Sequence, residues 1–173
     1  MIQIREATTN DAPLIALLAR TTFTDTFGHY FNDPNDLETY LDHTFNVSKL
    51  KTSLTKANNI FWLAHYNEIP VGYAKLKLHS PSKFISTATC CQLQKIYVLK
   101  DYLSKKVGGP LQETLLERAK KEGFEKIWLS VLKANARAIR FYEKNGFTIL
   151  GDHDFSIGKE DFLFQAMAKD LQQ

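Results

Sequence analysis

Two short stretches carry residues whose types and spacing could do chemistry. The first, Ser104-Lys105-Lys106-Val107-Gly108-Gly109-Pro110, sets two ammonium groups and two glycines at the start of an amphipathic run. Pro110 is tolerated only in the first turn of a helix, where its missing N–H has no intrahelical role, so the spacing predicts a helix beginning near Val107. Unpaired N–H groups and the positive end of the helix dipole then face outward, and their natural occupant is an anion such as a phosphate. The second stretch is a predicted helix over Asn135 to Asn145. At about 100° per residue, Asn135, Ala138 and Tyr142 fall on one face with Ile139 at its margin, while Arg137, Arg140 and Lys144 fall on the other. A face built only for packing would be branched and aliphatic throughout. Here an amide can donate and accept hydrogen bonds, an alanine admits a ligand close to the backbone, and a phenol can donate a proton.

The elements that must position these residues read off the hydrophobic pattern. Val107, Leu111, Leu115 and Ala119 recur every four residues, with Leu116 widening the stripe and Gly123 ending the helix. The runs Thr89 to Leu99 and Lys126 to Leu132 flank that helix as strands, which makes a crossover unit. Upstream, Ile2 to Glu6 alternates as an edge-forming strand. Thr8, Thr9 and Asn10 offer caps for a helix running from Pro13 towards Phe23. A short helix is expected over Val47 to Lys56, then a hairpin of Ile60 to Tyr66 and Val71 to Leu78 turning at Asn67 and Glu68. Ser80 to Thr87 reads as a loop, and Phe147 to Ile157 with Asp161 to Ala168 as a last antiparallel pair around Gly158. The expected fold is α/β, a mixed central sheet flanked by helices, in a single domain over 1–173.

Between the first two helices lies TTFTDTFGHYFNDPNDLETYLDHTF, dense in aromatic and acidic residues. Phe27 and Tyr30 are expected to close one side of a cleft; rings that merely pack two helices together are the alternative. Asp33, Asp36, Glu38 and Asp42 would draw a cationic amine, although a solvated helix face accounts for the same charges.

A chain with 44% hydrophobic and 24% charged residues has ordinary globular composition, which argues against disorder. The net charge of +3 suits a polyanionic ligand, but there is no block of lysine and arginine, so nucleic acid is not expected as a partner. No run approaches the roughly 20 apolar residues of a membrane helix, and a cytoplasmic protein is expected. Cys90 and Cys91 are adjacent in a strand and point to opposite faces. They read as small buried hydrophobes, and no spacing suggests a metal. The strand after Phe147 offers an edge that could pair two subunits as a homodimer.

The run IYVLKDYLSKKVGGPL followed by NARAIRFYEKNGF resembles the acetyl-CoA site of the GNAT family of N-acetyltransferases. The pattern N-x-x-A-I-x-F-Y-x-K-x-G-F is the specific half of the match, and the order of elements agrees over nearly the whole chain. The Thr22 to Phe45 region and the strand Gln92 to Val98 are most similar to the bacterial polyamine N-acetyltransferases of the PaiA type. That resemblance implies acetyl-CoA as cosubstrate, with its diphosphate on Ser104, Lys105, Lys106, Val107, Gly108 and Gly109. It further implies a pantetheine arm along Ile96, Tyr97 and Val98, an oxyanion donor in the Val98 N–H, contacts from Asn135 and Ala138, and Tyr142 as general acid. A small primary amine, such as spermidine or spermine, would be the acceptor, near Phe27, Tyr30 and Gln92.

Three positions depart from the family pattern. The Gln/Arg-x-x-Gly-x-Gly/Ala loop falls on Leu103 to Gly108, so Leu103 replaces the leading polar residue and Lys106 the first glycine. A lysine there restricts positive φ and close approach, so the loop is expected to differ in shape or the diphosphate to sit farther out. The glutamate that often serves as base on the central strand is here Gln92, which cannot take a proton. Two alternatives to polyamine acetylation therefore stay open: transfer to a protein or peptide amine, and a non-catalytic domain that senses acetyl-CoA or binds another protein.

Overall fold

The computed structural model describes residues 1–87 and 89–172; Ala88 and Gln173 lie outside the described residues, so the expected domain over 1–173 is described short of those two. The strands are β1 (Ile2–Glu6), β2 (Asn59–Tyr66), β3 (Ile69–Lys77), β4 (Cys90–Val98), β5 (Lys126–Leu132), β6 (Thr148–Ile157) and β7 (Glu160–Asp170). They form one sheet in the order β1-β2-β3-β4-β5-β7-β6. Every neighbouring pair is antiparallel except β4 and β5, which the crossover makes parallel. The helices are α1 (Ala12–Phe27), α2 (Pro34–Thr44), α3 (Val47–Thr55), α4 (Gly108–Lys121) and α5 (Ala136–Lys144). Among the described residues no helix is long and apolar enough to cross a membrane.

The sheet is covered on both faces. On one, Leu111, Leu115 and Ala119 of α4 pack on Leu76, Leu93 and Ile127, all essentially without solvent contact. On the other, Ile15, Leu18 and Phe23 of α1 pack on Phe61, Leu63 and Tyr73. Burying each such side chain contributes about 1.5–3 kcal/mol, so the two layers clamp the central strands from both sides.

Local chemistry sets the helix ends. Asp11 closes a capping box with Thr8 and takes a paired hydrogen bond from Arg5 at 2.8 and 2.9 Å. That guanidinium, with the Thr8 N–H, holds the Asp11 carboxyl down at about 2. Asp33 and Asn46 cap α2 and α3 by accepting from Asn35 N and Lys49 N. Gly123 follows α4 with φ +88°, the left-handed conformation that lets the chain leave the helix. α1 runs one turn past the expected Phe23 because Phe27 stacks on Phe23 at 4.5 Å and joins the same core. The segment expected as an open loop before α4 is a 3-10 helix over Lys100–Lys105, and α4 itself begins at Gly108, one residue after the expected start.

Candidate active site

The central feature is a gap in the middle of the sheet. β4 and β5 pair only at Cys90↔Lys126, Cys91↔Ile127 and Gln92↔Trp128, although both strands continue well beyond. The cause lies on either side of the gap. β4 carries a bulge opposite β3, where Lys75 pairs with Lys95 and Leu76 with Leu93, leaving Gln94 as the extra residue that bends the strand. β5 instead stays with β7 along its full length, from Lys126↔Asp170 to Leu132↔Phe164. Leu99 N–H donates to Val71 O of β3 at 2.8 Å. By strand alternation, Tyr97 N–H faces β3 too, and the N–H groups of Ile96 and Val98 face the gap. Two backbone donors thus stand on a wall from which the neighbouring strand has departed.

At the open end of β4 the chain passes through the 3-10 helix containing Ser104 and Lys105 into Lys106, which has φ 59° and ψ 34°. The lysine therefore adopts the left-handed conformation that a glycine supplies most readily, at a cost of about 1–2 kcal/mol. Val107 is fully buried in the core beneath α4. A side chain at Gly109 would meet nothing within 4 Å, and one at Gly108 would touch only Phe141 of α5, at 3.7 Å. The first turn of α4 is thus open to solvent and borders α5. Lys106→Gly is expected to leave Tm unchanged or higher, because glycine removes the strain. It should weaken acetyl-CoA binding about two- to fivefold through the lost charge at the helix N-terminus, as read by calorimetry.

α5 brings its polar face to the same place. Asn135 caps the helix, its Oδ1 accepting from Ala138 N at 3.1 Å, so its carbonyl is committed to structure and only its amide N–H groups are free for a ligand. This capping role was not read from the sequence. Arg137, Arg140 and Lys144 are exposed on the opposite side, as the angular count required. Tyr142 is 8% exposed and lies edge-on between Phe141 and Phe147 at 5.4 and 5.7 Å. Its hydroxyl makes no hydrogen bond among the described residues. Burial, with a smaller effect from Tyr97 of β4, raises the phenol well above its ordinary value, so it stays protonated at neutral pH.

The other face of the gap is polar. Gln92 Oε1 accepts from Ser80 Oγ at 2.8 Å, and Ser80 O accepts from Trp128 Nε1 at 2.8 Å, which anchors the loop after β3 over the last β4–β5 pair. Ser130 of β5 and His153 of β6 are joined Oγ to Nε2 at 2.8 Å. Lys75 and Lys95 oppose each other on β3 and β4, and no carboxylate reaches either among the described residues. Their ammonium groups lie 5.4 Å from the Phe61 ring and 5.5 Å from the Phe45 ring. Desolvation pulls Lys95 down to about 8, and desolvation with neighbouring lysines does the same to Lys75. A lysine with an ordinary pKa near 10.4 in the unfolded chain then costs stability below pH 8, and the cost fades as pH rises towards 10. Lys95→Met is therefore expected to raise Tm by about 2 °C or more at pH 7 and to confer no gain at pH 10. A variant melting at or below wild type at pH 7 would contradict this.

The acidic segment makes surface ion pairs, in keeping with the alternative of a solvated helix face. Asp33 binds Lys159 Nζ at 2.7 Å and Asp36 accepts from Lys159 N at 3.0 Å, while Glu38 and Asp42 both reach Arg20, at 3.3 and 3.0 Å. These carboxylates tie α2 to α1 and to the β6–β7 turn, where Arg20 and Lys159 offset part of their charge. Phe27, 5% exposed and packed edge-on to Phe162 at 5.7 Å, is a core ring and lines no open cleft. Tyr30 remains 37% exposed beside Phe162 and His29. Cys90 and Cys91 are buried and unbridged, as expected.

Residues 19–147 match the acetyltransferase (GNAT) family. An uncharacterized N-acetyltransferase of Lactobacillus delbrueckii subsp. lactis is 27% identical over 167 residues, covering 95% of this chain and 96% of that one. A spermidine N(1)-acetyltransferase of Thermoplasma acidophilum is 23% identical over 152 residues, 86% of this chain and 89% of that one. The crystal structure of PaiA N-acetyltransferase from Thermoplasma acidophilum in complex with coenzyme A superimposes with a TM-score of 0.77 at 23% identity, covering 98% of this chain and 99% of that one. The parted strands, the open helix start and the family match over most of the chain agree, and the chain belongs to the acetyltransferase (GNAT) family, as an acetyl-CoA-dependent N-acetyltransferase.

Proposed function

We propose that this protein transfers the acetyl group of acetyl-CoA, held in the gap between β4 and β5, to the primary amine of a small cytoplasmic acceptor, a polyamine such as spermidine or spermine. The observation that carries the transfer reading is the early end of β4–β5 pairing, which turns two strand N–H groups towards the space bordered by α4 and α5. Ser104 to Gly109 hold the diphosphate through backbone N–H groups and the two lysines. Ile96, Tyr97 and Val98 hold the pantetheine arm as a pairing strand would be held, and Ala138 lets it pass close to α5. The Val98 N–H donates to the oxyanion that develops on the thioester carbonyl. Tyr142 donates its proton to the departing sulfur.

The polyamine reading draws its support from the named spermidine acetyltransferase relative and from the exposed ring of Tyr30. One observation favours a second acceptor class. The Lys75 and Lys95 pair puts unneutralised positive charge on the acceptor side of the gap, which suits a peptide amine that also carries a carboxylate. Thiol release with spermidine, spermine, an acidic peptide and its neutral counterpart separates the two. Turnover of the polyamines supports the first reading and preference for the acidic peptide supports the second. Tight acetyl-CoA binding without turnover of any of them would point to an acceptor of another class. A homodimer through β6 is proposed on the exposed Ile149, Leu150 and Phe155 of that edge strand, and sedimentation measures it.

A further inference from the structure

We propose that Ser130 and His153 form the proton-accepting pair for the incoming amine, Ser130 touching the amine and His153 acting through it. The proposal rests on the acetyl-transfer reading and supplies the base that Gln92 cannot be. Ser130 lies two residues beyond Trp128, the last residue of β5 paired with β4, and on the same face of the sheet. It therefore stands where the gap has opened, on the side opposite α4 and α5. Its hydroxyl is joined to His153 Nε2 at 2.8 Å, and the imidazole is stacked on Phe164 at 5.6 Å with only 15° between the planes.

The register of β6 gives a second, independent reason. Ile149 pairs with Met167 but Gly151 pairs with Ala166, so a bulge inserts Leu150 into the strand. Because side chains alternate, that single extra residue exchanges the two faces of everything after it. Without it Asp152 would oppose Phe164; with it His153 does. The bulge thus turns an imidazole towards Ser130 and sends Asp152 to the other side, where it pairs with Lys133 at 2.8 Å. Phe84 covers the bulge: a Cβ at Gly151 would meet its ring at 2.6 Å. An apolar side chain from the loop after β3 thereby sits on this face two residues from His153.

The charged and titratable groups around the imidazole are few. Asp152 and Asp154 adjoin it on β6 but project from the opposite face, Asp152 is already paired, and Asp36 of α2 lies at the far hairpin end against Gly158. β5 and β7 present Ser130 and Phe164, and β4 contributes Lys95 on the same face. No carboxylate competes for Ser130 among the described residues.

The proton accounting closes. The acceptor arrives as an ammonium and gives one proton to Ser130 Oγ as the serine proton passes to His153 Nε2, and the imidazolium then releases it to solvent. The neutral nitrogen forms its bond to the carbonyl carbon while the C–S bond breaks. The sulfur takes the Tyr142 proton, and the second proton leaving the nitrogen restores the phenol. One proton is released per acetyl group transferred.

The test measures thiol release from acetyl-CoA against pH, with spermidine as acceptor and with water alone as acceptor, for wild type, Ser130→Ala, His153→Gln and His153→Ala. Glutamine keeps a hydrogen bond to Ser130 but cannot take its proton. His153→Gln is expected to bind acetyl-CoA as wild type does, lose about 100-fold in kcat and lose the acidic limb of the pH profile. Added imidazole should restore at least fivefold of the activity of His153→Ala, and Ser130→Ala should show the same fall without imidazole rescue. A His153→Gln enzyme that keeps the wild-type kcat and acidic limb overturns the relay while leaving acetyl transfer intact. Wild type releasing no thiol with spermidine, with water or with the acidic peptide overturns the transfer reading, and the relay with it.

Discussion

Tyr142→Phe is expected to lower kcat by at least about tenfold while leaving the acetyl-CoA Kd within about twofold of wild type. The ring is held edge-on by Phe141 and Phe147, and phenylalanine keeps those contacts, so the fold and the cofactor groove survive the change. What is lost is one hydroxyl that makes no hydrogen bond among the described residues. Burial raises its pKa, and an ordinary thiol has a pKa of only about 8.5, so the phenol does not surrender its proton permanently. It acts while the second proton of the amine is on its way, which makes its contribution specific to the transition state and therefore visible in kcat. A burst experiment at saturating spermidine isolates the chemical step. Unchanged turnover in that step would remove Tyr142 from the role of acid.

Gly72→Ala is expected to destabilise the protein by about 1–3 kcal/mol, a Tm drop of roughly 2–12 °C, and to weaken acetyl-CoA binding tenfold or more. Gly72 lies on β3 directly opposite Val98. A Cβ there would stand 2.8 Å from Tyr97 O and 3.2 Å from Val98 Cγ2. The first of those atoms is backbone and can move only if β4 moves, so the methyl group pushes the strand that presents Ile96 and Val98 into the gap. Gly109→Ala is the matched control, since a Cβ there meets nothing within 4 Å. Calorimetric melting and titration of the two variants read both effects. Wild-type Tm and Kd in Gly72→Ala would mean that β3 does not hold β4 in this position.

Most of the elements near the site could be read in the sequence because they are specified locally. The four-residue stripe from Val107 to Ala119, Pro110 in the first turn and Gly123 beyond the last all act within a helix, and the helix follows. The face of α5 was likewise legible from angles alone, although Asn135 turned out to spend its carbonyl on the cap. What stayed hidden depends on register between distant segments. Lys106 takes a glycine conformation because the packing of Val107 and the 3-10 helix before it fix its backbone, which overrides residue preference. Asp33 and Asp36 find Lys159 across 126 and 123 residues, contacts that no local pattern announces. Ser130 meets His153 only because one bulge shifts the parity of β6, and neither residue stands in a recognisable pattern. Lys75 and Lys95 became neighbours through a second bulge, in β4.

A crystal structure with coenzyme A bound tests the central claim most directly. The diphosphate should lie against the backbone of Ser104 to Gly109, the pantetheine amides should bond the N–H and C=O groups of Ile96 and Val98, and the sulfur should sit within hydrogen-bond reach of the Tyr142 hydroxyl. Coenzyme density anywhere else, or β4 and β5 found paired beyond Gln92 and Trp128, would contradict the account.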